Sequence, residues 1–193
     1  MWLDPSQAVD GGILFYPQLY NRREFAWLDR HLRKADVFAD VGANIGAFSL
    51  RAARIAKRVV AFEANPAVFN VLMRNVALNG CADRVQALNV GVSDRRETLR
   101  LSLQERGNLG GSSFVTDHGG SSVEVVCAPL AELAPAIDFL KIDAEGMDRR
   151  ILSAYMEHQL PRCIIMEEHW TPAGYSVADR SGENVLLLRD AGA

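Results

Sequence analysis

The residues Asp40-Val41-Gly42-Ala43-Asn44-Ile45-Gly46 bring a carboxylate, two glycines and an amide into one short turn, and Glu63 follows it. Glycines there let a backbone bend tightly and approach a ligand, and an acid about 20 residues on is placed to hold ribose hydroxyls. Charge narrows the ligand. The Gly-x-x-x-x-Gly-Lys-Ser/Thr pattern is absent, which excludes a P-loop, and Asn44 stands where a nicotinamide dinucleotide fingerprint has its second glycine. Asp40 would repel pyrophosphate, and a turn floored by carboxylates and bare of lysine would attract an ammonium and a sulfonium. S-adenosylmethionine carries both cations, an adenosine for Glu63 and no phosphate. A NAD-dependent oxidoreductase is the reading that Asp40 and Asn44 disfavour.

Methyl transfer from a sulfonium is an in-line displacement, so a protein must hold the acceptor oxygen close to the methyl group and remove its proton. Two strand ends carry groups for this. In Ile137 to Asp143, alternation puts Phe139, Lys141 and Asp143 on one face. Asp143 reads either as a contact to the acceptor or the ligand ammonium, or as the N-cap of a following helix. Glu145 reads as a catalytic residue or as a first-turn acid complementing the helix dipole, and Lys141 as an ion-pair partner or a catalyst. The second strand end is Cys163-Ile164-Ile165-Met166-Glu167-Glu168-His169-Trp170. There His169 is the natural general base, with Glu167 orienting it, or both belong to a solvated strand end. Asp143, Glu168 and His169 lack any dedicated metal-ligand spacing, so no metal is expected. Trp170 is a candidate shelf for an aromatic substrate, whereas His31, His118 and His158 read as structural or solvated.

These groups need a scaffold that delivers them to one edge. Val37 to Val41 is a short apolar run ending in glycine, as a strand buried on both faces would be. Strands and helices then alternate: a helix over about 46–57, a strand over 58–62, and a helix over about 66–79 with Asn65 as N-cap, Pro66 first and Gly80 closing. Further strands are expected over 85–92, 99–103, 123–127, 137–142, 163–166 and 185–188, with a helix over about 147–158. Such alternation builds an α/β, mostly parallel sheet that binds ligands at the carboxyl ends of its strands. Residues 1–35 form a helical extension, amphipathic over Asn21 to Lys34, before a core over 36–193, the whole being one domain. The glycine- and serine-rich stretch from Gln104 to Ser122 reads as a mobile loop, either a lid or a surface connection.

Three blocks, Asp40 to Gly46, Ala61-Phe62-Glu63, and Asp138-Phe139-Leu140-Lys141-Ile142-Asp143-Ala144-Glu145-Gly146, resemble the successive motifs of FkbM-type S-adenosylmethionine-dependent methyltransferases. The resemblance implies the class I methyltransferase (Rossmann-like) fold: seven strands in the order 3-2-1-4-5-7-6, the last antiparallel, with helices on both faces. It implies methyl transfer to a hydroxyl of a small molecule, sugar or other secondary metabolite. Carried over by position, Asp40, Gly42, Ala43, Asn44 and Gly46 would hold the methionine end, Glu63 and Ala64 the ribose, and Gly91 and Val92 would border the adenine. Two departures stand out. Ala64 and Asn65 precede the proline usually found directly after the acid, and only Thr171 to Gly174 separate Trp170 from Tyr175, leaving no room for a helix between the fifth and sixth strands. The wall lost there is expected from the N-terminal helix or from a partner subunit in a homodimer; otherwise the chain is a catalytically silent cofactor-binding partner protein.

Composition agrees with a globular enzyme. Of 193 residues, 49% are apolar and 23% charged, enough for a core without disulfides or structural metal. Lys and Arg number 21 against 24 Asp and Glu, without the basic surplus that nucleic acid demands. The Asn/Asp-Pro-Pro-Tyr/Phe signature of nucleic-acid amine methylation is also absent. Cys81, Cys127 and Cys163 read as core residues of a reducing compartment. No apolar run approaches the ~20 residues of a membrane span and the start lacks a secretory signal, so a cytoplasmic location is expected.

Overall fold

Two helices precede any strand in the computed structural model, whose described residues are 1–104, 107–167 and 170–192: α1 (Ala8–Phe15) and α2 (Arg22–His31). In α2, Trp27 and Leu28 turn inward while the arginines face out, the amphipathic pattern of the sequence. The alternation then unfolds as β1 (Val37–Val41), α3 (Ala47–Ala52), β2 (Arg58–Phe62), α4 (Pro66–Leu78) and β3 (Val85–Leu88). Asn65 caps α4 as predicted, its Oδ1 accepting from the amide of Ala67 at 3.0 Å.

The chain continues through β4 (Gly91–Ser93), β5 (Glu97–Ser102), β6 (Ser122–Pro129), α5 (Leu130–Leu133), β7 (Phe139–Ile142), α6 (Asp148–Met156), β8 (Cys163–Met166), β9 (Tyr175–Ser181) and β10 (Asn184–Arg189). Seven of these strands form one sheet, β3-β2-β1-β7-β8-β10-β9, with β10 antiparallel to both neighbours. Counted along the chain within that sheet alone, the order is the expected 3-2-1-4-5-7-6. Trp170 to Gly174 run without a helix into β9.

The expected strand over 85–92 is broken, and its second half belongs elsewhere. β4 leaves the main sheet and joins a small sheet ordered β4-β6-β5. Asn89 marks the break: its Nδ2 donates to the carbonyl oxygens of Glu63 at 2.7 Å and Ala64 at 3.2 Å, satisfying the end of β2 in place of a ladder.

Strand alternation sorts the core into two layers. Phe38 and Phe139 meet edge to face at 5.6 Å on the side of α2, α3 and α4. Ala39, Val41, Leu140 and Ile142 point the other way, against Ile151, Leu152 and Tyr155 of α6. Asp40 and Lys141 therefore share the first face, inside the protein. No described helix is long and apolar enough to cross a membrane.

Candidate functional site

A cavity of about 160 Å3 lies at the carboxyl ends of β1, β2 and β7. The turn after β1 contributes Gly42 and Asn44, the end of β2 contributes Glu63 and Ala64, and the end of β7 contributes Asp143 and Glu145. Among the described residues, none of the side chains lining it is cationic.

Gly42 adopts φ +69°, and a Cβ there would stand 1.9 Å from the carbonyl oxygen of Asp143. The turn thus fits against the end of β7 only without a side chain. Glu63 is buried, and each oxygen accepts one backbone amide at 2.8 Å: Oε2 from Asn44 and Oε1 from Asn65. Burial pushes its carboxyl up to about 7, against the two amides that favour the charged form.

Lys141 is the ion-pair partner offered by the sequence, and it stands behind the cavity and not among its lining residues. It is buried, and its Nζ donates to the carbonyl of Gly42 at 2.8 Å and to Oδ2 of Asp143 at 3.1 Å, with Oδ1 of Asp40 at 3.6 Å. Burial alone would lower its pKa, but Asp143 and Asp40 outweigh it and hold the ammonium above its ordinary value. Asp40 is fully buried, accepts from the hydroxyl of Ser49 at 2.5 Å, and is raised by desolvation against Lys141 and Ser49. The cation thus sits behind the cavity, tying β1, the turn and β7 together. The alternation that places Lys141 and Asp143 on one face was legible in the sequence; that Asp40 points inward follows from Phe38 sharing its face.

The roof comes from two segments far apart in the chain. Val9 of α1 lines the cavity beside the stretch Asn108 to Phe114. The amide of Ala8 donates to the carbonyl of Gly107 at 2.6 Å, joining the two. Gly110 lies flush on Asn44, where a Cβ would come within 2.0 Å of Nδ2. The same stretch is held by Asn65 Nδ2 donating to Ser112 Oγ at 3.2 Å and by Ser113 Oγ donating to the carbonyl of Glu145 at 3.0 Å. A second recess of about 90 Å3 shares Val9, Asn44, Asn108 and Gly110 with the first. Asn75 secures this side: its Oδ1 accepts from the amide of Trp2 at 2.5 Å, and its Nδ2 donates to the carbonyls of Ile45 at 3.0 Å and Trp2 at 3.3 Å.

Of the sequence candidates, Gly42, Asn44, Glu63, Ala64, Val92, Asp143 and Glu145 line the cavity. Asp40, Ala43, Gly46 and Gly91 lie behind it. Ala43 is buried in the core and its amide donates to Phe62 at 2.9 Å, Gly46 opens α3 beneath Leu72, and Gly91 packs on Cys127. Asp143 is not the N-cap of α6: Met147 holds that position without a side-chain cap, and Asp148, the first helical residue, accepts the amide of Ala144 at 2.7 Å. Glu145 precedes α6 with φ +48°, and its carboxyl is raised by partial burial and then by the charge of Asp143. Glu167 is pushed up to about 7 by a hydrogen bond with Glu183, by burial and by Asp143. Glu168 and His169 lie outside the described residues. Trp170 carries the guanidinium of Arg149 over its ring at 4.9 Å and is not a lining residue. Val90, Leu101, Asn108, Ser112 and Phe114 line the cavity without any motif to mark them.

The sequence profile described as the methyltransferase FkbM domain matches residues 40–192. The methyltransferase sdnD of Sordaria araneosa is 31% identical over 173 residues, covering 70% of this chain; the chain spans 66% of that relative's length. The 31-O-demethyl-FK506 methyltransferase FkbM of Streptomyces tacrolimicus is 30% identical over 216 aligned positions, covering 92% of this chain and 80% of the relative. The same fold occurs in an RNA methyltransferase from Salinibacter ruber in complex with S-adenosyl-L-homocysteine, at a TM-score of 0.50 and 16% identity over 86% of each chain. With the profile spanning the turn, the acid and the Lys-Ile-Asp-x-Glu-Gly block alike, this chain belongs to the FkbM methyltransferase domain family.

Proposed function

We propose that this chain binds S-adenosylmethionine in the cavity and methylates a hydroxyl oxygen of a small molecule or glycan. The observation that carries the reading is a cavity at the carboxyl edge of the sheet lined by Glu63, Asp143 and Glu145, with no cation among its described lining residues. Phosphorylated ligands are disfavoured there and a cationic nucleoside is favoured.

The residues fit such a ligand. Glu63, fixed by two amides, retains lone pairs for a ribose diol. Asp143, ion-paired with Lys141 at 3.1 Å, presents a partly exposed carboxylate for an ammonium. When bound, S-adenosylmethionine supplies an electrophilic methyl group on a sulfonium. The acceptor proton goes to a base at the mouth. Glu145 suits this better than Asp143, because its raised carboxyl holds a proton more readily; His169 is the other candidate base. Val9 of α1, from the N-terminal extension expected as one source of the missing wall, lines the cavity and supports a complete pocket within one chain. The name of the Streptomyces relative, an O-methylating enzyme by its description, supports oxygen as the acceptor.

Calorimetric titration of the full chain with S-adenosylhomocysteine and with NADH tests the cofactor. Tighter binding of the first is expected; tighter binding of NADH overturns the reading. Mass spectrometry of hydroxylated acceptors incubated with S-adenosylmethionine then tests the reaction by a methyl-sized mass gain.

A further inference from the structure

Phe114 sits in a stretch that its glycines mark as loose, yet its neighbours pin it. Ser113 and Ser102 exchange backbone bonds at 2.9 and 3.1 Å, and Ser113 Oγ also receives the amide of Val115 at 3.1 Å while donating to Glu145. The chain just before the ring is thus fixed to β5 and to the loop after β7, and the residue after it is tied back to Ser113.

The ring is seated with equal care. It packs against the small-sheet cluster of Leu101, Val125 and Cys127. A Cβ on Gly91 would stand 3.1 Å from Phe114 Cζ and 2.3 Å from Cys127 Sγ, so only a bare α-carbon lets both side chains lie there. The apolar part of the cavity begins at Ala64, next to Glu63, and continues through Val90, Val92, Leu101 and Phe114. Phe62 also lines it but is only 1% exposed, whereas Phe114 is half-buried and keeps ring surface toward the cavity.

A nucleoside whose ribose is held at Glu63 carries its base on the same sugar, and the apolar side of the cavity, which begins at the adjacent Ala64, is the part that suits a flat heteroaromatic ring. We propose that Phe114 is the aromatic wall against which the adenine of the ligand lies, and that Gly91 is a positioning residue which seats that ring instead of touching the ligand. The inference rests on the proposed cofactor.

The test is calorimetric binding of S-adenosylhomocysteine and of 5′-methylthioadenosine, which keeps the adenosine and lacks the amino acid. Wild type is compared with Phe114→Leu, which keeps bulk and loses the aromatic face, and with Phe114→Trp. Base–aromatic stacking predicts that Phe114→Leu weakens both ligands by about tenfold. Phe114→Trp is expected to retain binding and to show ligand-dependent fluorescence quenching beyond that of the native tryptophans. Binding of both ligands by a folded Phe114→Leu chain within about twofold of wild type overturns the inference. Should Phe114→Leu fail to fold, a Phe114→Trp chain that binds without extra quenching overturns it equally. A wild type that binds neither ligand overturns the cofactor reading itself, and the inference with it.

Discussion

Gly42 and Asp143 meet backbone to backbone, so closely that a Cβ on the first would lie 1.9 Å from the carbonyl oxygen of the second. Because the obstacle is main chain in a parallel pair of strands, it cannot swing aside as a side chain would. Gly42→Ala is expected to cost about 2–4 kcal/mol, from the clash together with φ +69°. Scanning calorimetry reads this as a melting point lower by several degrees, and ligand binding is lost with it. An unchanged melting point would show that the turn and β7 are not locked.

Lys141 neutralises Asp40 inside the protein, and breaking a buried pair from one side is costly. Lys141→Met leaves Asp40 to bear an uncompensated charge or to take up a proton, a loss of about 3–5 kcal/mol. The double variant Lys141→Met with Asp40→Asn is expected to recover part of that loss. Urea midpoints for the two single variants and the double variant decide it; strict additivity would contradict the coupling.

Glu63 titrates at about 7 in the ligand-free chain because it is buried. In the proposed complex ribose hydroxyls would donate to its charged form, so below about 7 a proton would have to leave before binding. Affinity for S-adenosylhomocysteine is expected to fall up to tenfold per unit as the pH drops from about 7 toward 6, and to level off above 8. The sign for folding is the reverse of that for an ion-paired acid: ionising Glu63 costs stability between its ordinary 4.5 and about 7. Titrations across that range check the first trend and melts check the second; affinity independent of pH would remove Glu63 from the ligand.

Much of this was readable in the chain. Alternation in β1 and β7 and the Asn65-Pro66 start of α4 reported local physics, and the sheet order followed from the Lys-Ile-Asp-x-Glu-Gly resemblance. What stayed hidden depends on partners distant in sequence. Residues 85–92 look like one strand because periodicity does not say which neighbour each half pairs with, and Asn89 divides them by capping β2. Phe114 carries no motif and became visible only once Gly91 and Cys127 were folded beneath it. Asp40 looked like a ligand contact from its place in the turn, although its strand parity already turned it inward.

Separating the two carboxylates at the mouth needs two readouts. Asp143→Asn is expected to weaken binding of S-adenosylhomocysteine, since it removes the carboxylate proposed to hold the ligand ammonium. Glu145→Gln is expected to leave that binding nearly intact and to slow methyl transfer by about a hundredfold. The opposite pattern, measured by calorimetry and single-turnover assays, would exchange their roles.

Asn75 holds both the N-terminal segment and the carbonyl of Ile45 in the turn. Asn75→Leu keeps the volume but strands those buried groups, at about 2 kcal/mol. Limited proteolysis is expected to cleave within residues 1–7 sooner than in wild type. Equal cleavage rates would mean that Trp2 is secured by the guanidinium of Arg74 over its ring instead.

The bond from Ala8 to Gly107 makes α1 and the glycine-rich stretch one shutter across the cavity. This joint predicts that the two leaves open together, so that ligand uptake waits on one cooperative breathing event. Rapid-mixing experiments should then show association rates that rise with ligand concentration only to a ceiling, the ceiling being the frequency at which the protein unlatches itself.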